Sequence, residues 1–442
     1  MTMNDIVVSA PGKVLLLGGY AVLERPHPGL VIAATSRFHV RLEFKPTTAA
    51  LRLAIVSPQW AGGWSQRYVF AEQTLQPLNA AVARNKYVED TVAIALRFLS
   101  AQAQLPANGE IALTLLADND FYSQQNALKA RSLPLSLEGL SALPQHLPVE
   151  GDVAKTGLGS SAAMITSLCG ALLMRFTPGV DIETVHRLAQ VCHALVQGKI
   201  GSGFDVCAAC FGSMQYVRYD AAVMKTILAS DAMPTGTQVA SCVAAPLWNH
   251  TREAVRLPRH VSLMCGDVCG GSETPSMSKA ILQYKQTNHA EWDALVKANA
   301  VAVQALRALV ALEASATYDV VAFKLAAQPS SAWTASCDIS SAFCAASKAL
   351  AHARACLRAL GEGADVPVEP PSQRALCDAT LACAGVLASG VPGAGGFDAV
   401  FALVVGPAAR GGVETAWTAR NVCPLPLQAG PGGLQCKPLS RA

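Results

Sequence analysis

The sequence predicts an α+β fold built from more than one domain, and two observations carry the prediction. Strand-like and helix-like stretches are mixed without the regular βα alternation of a doubly wound sheet. The chain is 442 residues long, room for about two or three domains. Hydrophobic residues make up 51% and charged residues 15%. A chain of this length buries roughly three quarters of its unfolded surface, so its core needs no metal or disulfide. The net charge of +3 argues against a polybasic nucleic-acid binder, and the composition excludes a disordered chain or a coiled coil.

Taken in order, Pro11-Gly12 predicts a turn that sets Lys13 at the head of an apolar strand, Val14-Leu15-Leu16-Leu17. Arg37 to Phe44 alternates strictly, with Phe38, Val40, Leu42 and Phe44 on one face and Arg37, His39, Arg41 and Glu43 on the other. That is a half-buried strand. The polar stretch 117–149 reads as an insertion or mobile loop. Small residues in the stretch 155–164 open a helix that runs through Leu173. A second helix spans Asp181 to Gln197, with Asp181 as its cap and Gly198 as its stop. The composition around 219–236 suggests a boundary, dividing the chain into 1–225 and 226–442. Lys279 to Glu313 reads as one or two helices, 361–372 as a Pro-rich acidic loop, and Val400 to Val405 as a buried strand.

The mean hydropathy of +0.31 raises the question of a membrane. Thr156 to Met174 and Ala379 to Phe397 carry no charge and approach spanning length. The first opens with TGLGSS and the second is broken by SGVPGAGG, so neither reads as a transmembrane span. The N-terminus has no basic region followed by an apolar one, and the expected location is cytoplasmic. The C-terminal LSRA resembles a peroxisomal tripeptide loosely, which keeps a peroxisome-like compartment as the alternative. The 14 cysteines suggest reduced thiols. Cys207 and Cys210 form a CxxC without a second pair, expected to pack as small hydrophobes rather than to serve metal or redox chemistry.

Walker A, HExxH, GxSxG and strand-borne GxGxxG motifs are absent. The chemistry-bearing segments are four others. Lys13, beside a glycine, is either a solvated strand-end charge or an anion ligand. Lys155-Thr-Gly-Leu-Gly-Ser-Ser-Ala-Ala opens a helix, and backbone N–H groups at a glycine-rich helix start form an anion site. There Ser160 and Ser161 are able to donate to a phosphate or to ligate Mg²⁺; the plain alternative is a Ser-capped helix. Asp205, after Gly201-Ser202-Gly203, is either a helix cap or a carboxylate next to a substrate hydroxyl. The Gly-rich segment 389–398 either lets backbone approach a ligand closely or makes a tight structural turn.

These four segments, in this order, make the sequence similar to the GHMP kinase family, from about Ser9 to Val405 and most densely at 151–219. The resemblance implies a two-domain α+β architecture with the active site in the interdomain cleft. It implies ATP on Lys155, Gly157, Leu158, Gly159, Ser160, Ser161, Ala162 and Ala163, Mg²⁺ on Ser161, and Lys13 with Asp205 as the catalytic pair. Within the family, DNDFYSQ (118–124), the segment 197–219 and GDVCGGSETPSM (266–277) most resemble the branch that phosphorylates 5-phosphomevalonate to 5-diphosphomevalonate, in the mevalonate pathway to isoprenoids and sterols. The resemblance implies acceptor contacts at Lys13, Lys86, Lys199, Ser202, Arg218, Ser272, Thr274, Gly393, Ala394 and Gly395. Mevalonate kinases carry a Glu before the Asp loop that helps hold Mg²⁺. Here that stretch reads Cys192-His193-Ala194, with no carboxylate. The alternatives are another GHMP kinase, for mevalonate or a sugar, and a non-catalytic paralogue that binds ATP and a metabolite; keeping both Lys13 and Asp205 argues against the latter.

Overall fold

The computed structural model describes residues 5–60, 62–149, 154–270, 274–430 and 432–439, without the side chains of Thr274 and Pro275. Strands β1 (Ile6–Leu17), β2 (Gly29–Ala50), β3 (Arg52–Ser57), β4 (Trp64–Ala71), β5 (Thr74–Pro77), β6 (Asn108–Ala117), β7 (Met214–Val217) and β8 (Thr251–Ala254) share one sheet. Strands β9 (Val261–Asp267), β10 (Val386–Gly390), β11 (Ala399–Val405) and β12 (Cys423–Pro424) form a second, in the order β10-β11-β9-β12. The last strand, β13 (Gln435–Pro438), returns to the first sheet, whose order is β13-β1-β2-β6-β3-β4-β5, with β7 on β2 and β8 on β7. All pairings between the described strands are antiparallel except β3 with β6, and an isolated parallel bridge joins Trp60 and Val149.

The helices are α1 (Lys86–Ala101), the short α2 (Gln125–Ala130) and α3 (Leu137–Ser141), α4 (Ser160–Phe176), α5 (Ile182–Gln197), α6 (Phe204–Phe211), α7 (Ala222–Leu228) and α8 (Gly236–Ala244). They are followed by α9 (Thr274–Lys285), α10 (His289–Ala311), α11 (Tyr318–Ala326), α12 (Asp338–Gly363), α13 (Pro371–Leu381) and α14 (Pro407–Thr418). The fold is α+β, with two sheets and their helices. α4 is the buried centre: it packs on β1 and β2 and against α1, α5 and α6. Its Ala162, Ala163, Ala171 and Gly170 keep those neighbours close, while Ile165, Leu168 and Leu172 fill the space between. α5 begins and ends as the sequence predicts, with the Asp181 carboxylate accepting from the Thr184 N–H (2.6 Å) and Gly198 left-handed at its end. The Val400–Val405 strand is found in β11 and is buried throughout. The predicted stretch 279–313 holds most of α9 and all of α10.

Four expectations are corrected. Pro11-Gly12 is no turn: β1 runs through it, with its register against β2 shifted between Pro11 and Lys13, as at a β-bulge. Arg37 does not face water. Its guanidinium donates to Ser9 Oγ (2.9 Å), Ser9 O (2.7 Å) and Gly433 O (2.7 Å), because the C-terminal segment covers that face of β1 and β2. The stretch 117–149 is ordered by its leucines: Leu128, Leu140, Leu143 and Leu147 bury together against Cys423. The stretch 361–372 is likewise fixed, with Val366 and Val368 buried and Glu369 clamped by arginines.

The division at 225 remains a proposal, and the sheets suggest moving it. α8 packs on α1 and β8 pairs with β7, so the first sheet's territory extends past residue 225 and changes between β8 and β9. Cys207 and Cys210 are both buried. Cys207 Sγ lies 3.4 Å from Met214 Sδ and close to His186 and His250. The charge-free run 156–174 lies largely in buried α4. One described helical stretch, His289–Ala314, has the length and composition to cross a membrane, and it packs against α12.

The Glu369 clamp generates a prediction. Glu369 is 1% exposed and takes a bidentate pair of bonds from Arg354 (2.9 and 2.7 Å). Removing Glu369 leaves Arg354 with Asp378 (2.8 Å) as its remaining partner, at a cost of up to about 3–5 kcal/mol, the range for breaking a buried pair. Glu369→Ala should therefore lower the unfolding free energy in denaturant titrations by about that much. A loss below about 1 kcal/mol would show that the pair behaves as a surface ion pair.

Candidate active site

The site is organised by β1. At its bulge the Lys13 main-chain N–H leaves the sheet ladder and donates to Leu158 O (2.9 Å). The Lys13 ammonium donates to Gly157 O (2.8 Å) and lies 5.6 Å from the Phe204 ring centroid. One residue thus holds two successive carbonyls of the predicted phosphate loop. Gly157 and Gly159 both have φ of +76°, which turns the loop into the N-terminus of α4. Gly159 is the N-cap and brings no side chain. A Cβ there would lie 2.9 Å from Lys13 Cε, so only glycine leaves room for the lysine.

DNDFYSQ braces the loop from its other side. Thr156 Oγ1 donates to Asp120 O (2.5 Å), Thr156 N to Phe121 O (3.3 Å) and Ser123 N to Ala154 O (2.8 Å). Burial pushes the Tyr122 phenol above its ordinary value, and the Ser160 hydroxyl works against that. Ser123 Oγ also donates to Asp267 Oδ2 (2.5 Å), tying this segment to the end of β9. Burial raises the Asp267 carboxyl above its ordinary value, and the bonds it accepts from Ser123, Cys269 and Gln125 work against that.

Asp205 arrives from a different direction. Gly203, with φ of +80°, caps α6. A Cβ there would meet the Gln190 amide and the Tyr219 ring at 2.8 Å. Asp205 therefore lies inside the first turn and is not the helix cap. Its Oδ1 accepts from Val206 N (2.9 Å), and its Oδ2 lies 3.9 Å from His193 Nε2. Burial pushes the Lys13 ammonium below its ordinary value, and the charge of Asp205 works against that. Lys13, Gly157 to Ser161 and Asp205 are thus brought together around one helix N-terminus.

The other candidates fall around this centre. Lys155, Ser160 and Ser161 line a cavity of about 210 Å³ with Trp60, Tyr87, Tyr122 and Met164. Lys86, exposed, opens α1 beside Asn85 and Tyr87 of that cavity. Leu158, Ala162 and Ala163 are buried, supporting the loop from beneath. Arg218 is spent on backbone: it donates to Leu23 O and to Gly201 O (2.8 Å), bracing the 198–203 loop that leads into α6. Ser202 is buried, its carbonyl taken by the Tyr216 hydroxyl (3.0 Å), and Lys199 is exposed.

Gly393 N donates to Leu15 O (3.0 Å) and Tyr20 donates to Ala394 O (2.5 Å), so the Gly-rich loop docks on β1 two residues beyond Lys13. Gly395, with φ of +78°, passes so close to Val368 that a Cβ would lie 2.1 Å from its carbonyl. Ser272 and the Thr274 side chain lie outside the described residues. Sequence reasoning missed His193 and Gln197 as site residues. Their i, i+4 spacing puts both on one face of α5, but nothing local says which helices that face meets.

Comparison with known proteins fits this geometry. Residues 126–213 match the GHMP kinases N terminal domain and 345–422 the GHMP kinases C terminal domain. The peroxisomal phosphomevalonate kinase of Arabidopsis thaliana is 34% identical, over 97% of this chain and 95% of that protein. The phosphomevalonate kinase of Candida albicans is 32% identical over 90% of this chain and 89% of its own length. Among solved structures, a Streptococcus pneumoniae phosphomevalonate kinase in complex with phosphomevalonate and AMPPNP shares the fold. It superposes with a TM-score of 0.62 at 16% identity, covering 95% of this chain and 98% of that one. The chain belongs to the GHMP kinases and, within them, to the phosphomevalonate kinase family. It is a kinase.

The Gly159 geometry sets a test. A left-handed β-branched residue costs about 1–3 kcal/mol in strain, and here its side chain also strikes Lys13. Gly159→Val should weaken ATP binding by at least about tenfold, or about 1.4 kcal/mol, in calorimetry, with circular dichroism unchanged. Wild-type affinity would remove the 155–163 loop from the nucleotide site.

Proposed function

We propose that this chain transfers the γ-phosphoryl group of ATP to the phosphate of 5-phosphomevalonate, giving ADP and 5-diphosphomevalonate. The observation that carries the reading is the convergence of Lys13 and Asp205 on the α4 N-terminus, where free N–H groups and the helix dipole favour an anion. ATP lies with its phosphates on Gly157 to Ala163 and its base in the cavity of Trp60, Tyr87, Tyr122 and Met164. Lys155 and Lys86 stand at that cavity's polar edge.

Ser161 Oγ and the Asp205 carboxylate are hard oxygen donors facing the same loop, a set that suits Mg²⁺. Bound there, the ion would neutralise phosphate charge. The nucleophile is an oxygen of the acceptor phosphate, whose second pKa is near 6, so it is largely anionic at neutral pH. Asp205 then has little proton to remove and acts mainly by orienting the reacting groups. Lys13 stabilises negative charge as the phosphoryl group moves, from a position fixed before substrate arrives. Lys199, Ser202, Ser272, Thr274 and the loop Gly393 to Gly395 are the acceptor's proposed contacts, with Arg218 holding the loop that carries Ser202. The proposed location is cytoplasmic, with a peroxisome-like compartment as the second choice. The reading is supported by relatives matched over most of their length.

A coupled ADP-release assay against 5-phosphomevalonate, mevalonate and galactose tests the acceptor. The expected result is turnover with 5-phosphomevalonate alone. Turnover with mevalonate but not with its phosphate would move the chain to another GHMP kinase activity, and none with any acceptor would favour a binding paralogue.

A further inference from the structure

One buried side chain stands between the groups assigned to the reaction, and the reaction as described does not use it. His193 is 7% exposed, near the C-terminal end of α5. Three polar groups reach the same ring nitrogen. The Gln197 side-chain nitrogen is 2.6 Å from His193 Nε2, Ser161 Oγ is 3.3 Å away and Asp205 Oδ2 is 3.9 Å away. Ser161 is the second residue of α4 and Asp205 the second residue of α6. A single imidazole thus touches the first turns of the two helices that carry the phosphate loop and the carboxylate.

We propose that His193 is the positioning residue of this active site, setting the Ser161 hydroxyl and the Asp205 carboxylate relative to each other. The inference rests on the phosphoryl-transfer reading above. With Gln197 donating an N–H to Nε2, that nitrogen presents its lone pair. The Ser161 O–H shares that single lone pair with the Gln197 N–H in a three-centre bond, as its longer arm at 3.3 Å, which turns the oxygen's own lone pairs outward. A hydroxyl oriented in this way meets a cation or a phosphate without first breaking a bond to solvent. The ring nitrogen stays 3.9 Å from Asp205 Oδ2, beside that oxygen but beyond bonding distance, so Oδ2 remains available to substrate. Gln197, one turn further along α5, holds the ring in place.

A role exerted through Ser161 has a signature that general destabilisation lacks. Loss of a partner that orients a ligand side chain typically costs about 10–100-fold in activity. His193→Leu fills the buried space but offers no acceptor; His193→Asn restores a polar group and remains usable if the leucine variant folds poorly. The kcat and KM of both would be measured with ATP and 5-phosphomevalonate, beside wild type, Ser161→Ala, Ser161→Ala/His193→Leu, Lys13→Ala and Asp205→Asn, with thermal midpoints for all. The expected result is a kcat lowered at least about tenfold in His193→Leu with KM changed much less, partial recovery in His193→Asn, and an effect below about twofold once Ser161 is already alanine. An unchanged kcat in His193→Leu, or an equal loss in both Ser161 backgrounds, would overturn the inference. If Lys13→Ala and Asp205→Asn keep wild-type turnover, the active-site reading itself fails. If they lose it while His193→Leu does not, only the role of His193 fails.

Discussion

The rest of the site depends on one irregularity, the bulge in β1 at Gly12. A regular strand would spend the Lys13 N–H on its neighbour in the sheet. The bulge turns it to Leu158 O, and the same residue's ammonium reaches Gly157 O. Two residues further on, Leu15 O takes the N–H of Gly393. One strand therefore sets the positions of the proposed phosphate loop, the Lys13 ammonium and the C-terminal Gly-rich loop. None of these contacts is large in energy, each hydrogen bond being worth about 1 kcal/mol net. Their value lies in fixing geometry before two polyanions arrive.

Electrostatics explains why that fixing matters. Two like charges 4 Å apart repel by about 4 kcal/mol at an effective dielectric constant of 20, and ATP with a phosphorylated acceptor brings several. A helix N-terminus, a lysine and a cation are the means of offsetting this repulsion. In the proposed reaction the carboxylate of Asp205 organises positive charge: it raises the Lys13 ammonium toward its ordinary value while burial lowers it.

Much of this was legible in the sequence, and the misses share a cause. α5 with its two caps, the helix after Gly159 and the buried β11 follow from local pattern. Arg37 was misplaced because its covering segment lies about the residue Gly433, far along the chain. The stretch 361–372 looks like a loop by composition, yet Glu369 is held by Arg354, and Val368 O accepts the N–H of Gly396. DNDFYSQ was readable as a motif but not as the brace of the phosphate loop, since Thr156 meets Asp120 only after folding. Asp205 illustrates the same limit: its sequence neighbourhood fits a helix cap, and only the φ of Gly203 shows that the cap is two residues earlier.

The central claim is that Asp205 organises charge around an oxygen that is already ionised. Its most direct test is kcat of Asp205→Asn and wild type with 5-phosphomevalonate, from about pH 6 to about pH 9, above the phosphate's second pKa. The account predicts that the amide variant loses most of its kcat at every pH, since a neutral group cannot pair with Lys13 or a cation. A general base contributes about 10²–10⁴-fold, and its loss exposes a dependence on pH. A variant whose rate climbs to near wild type at high pH would contradict the account and make proton removal the main task of Asp205.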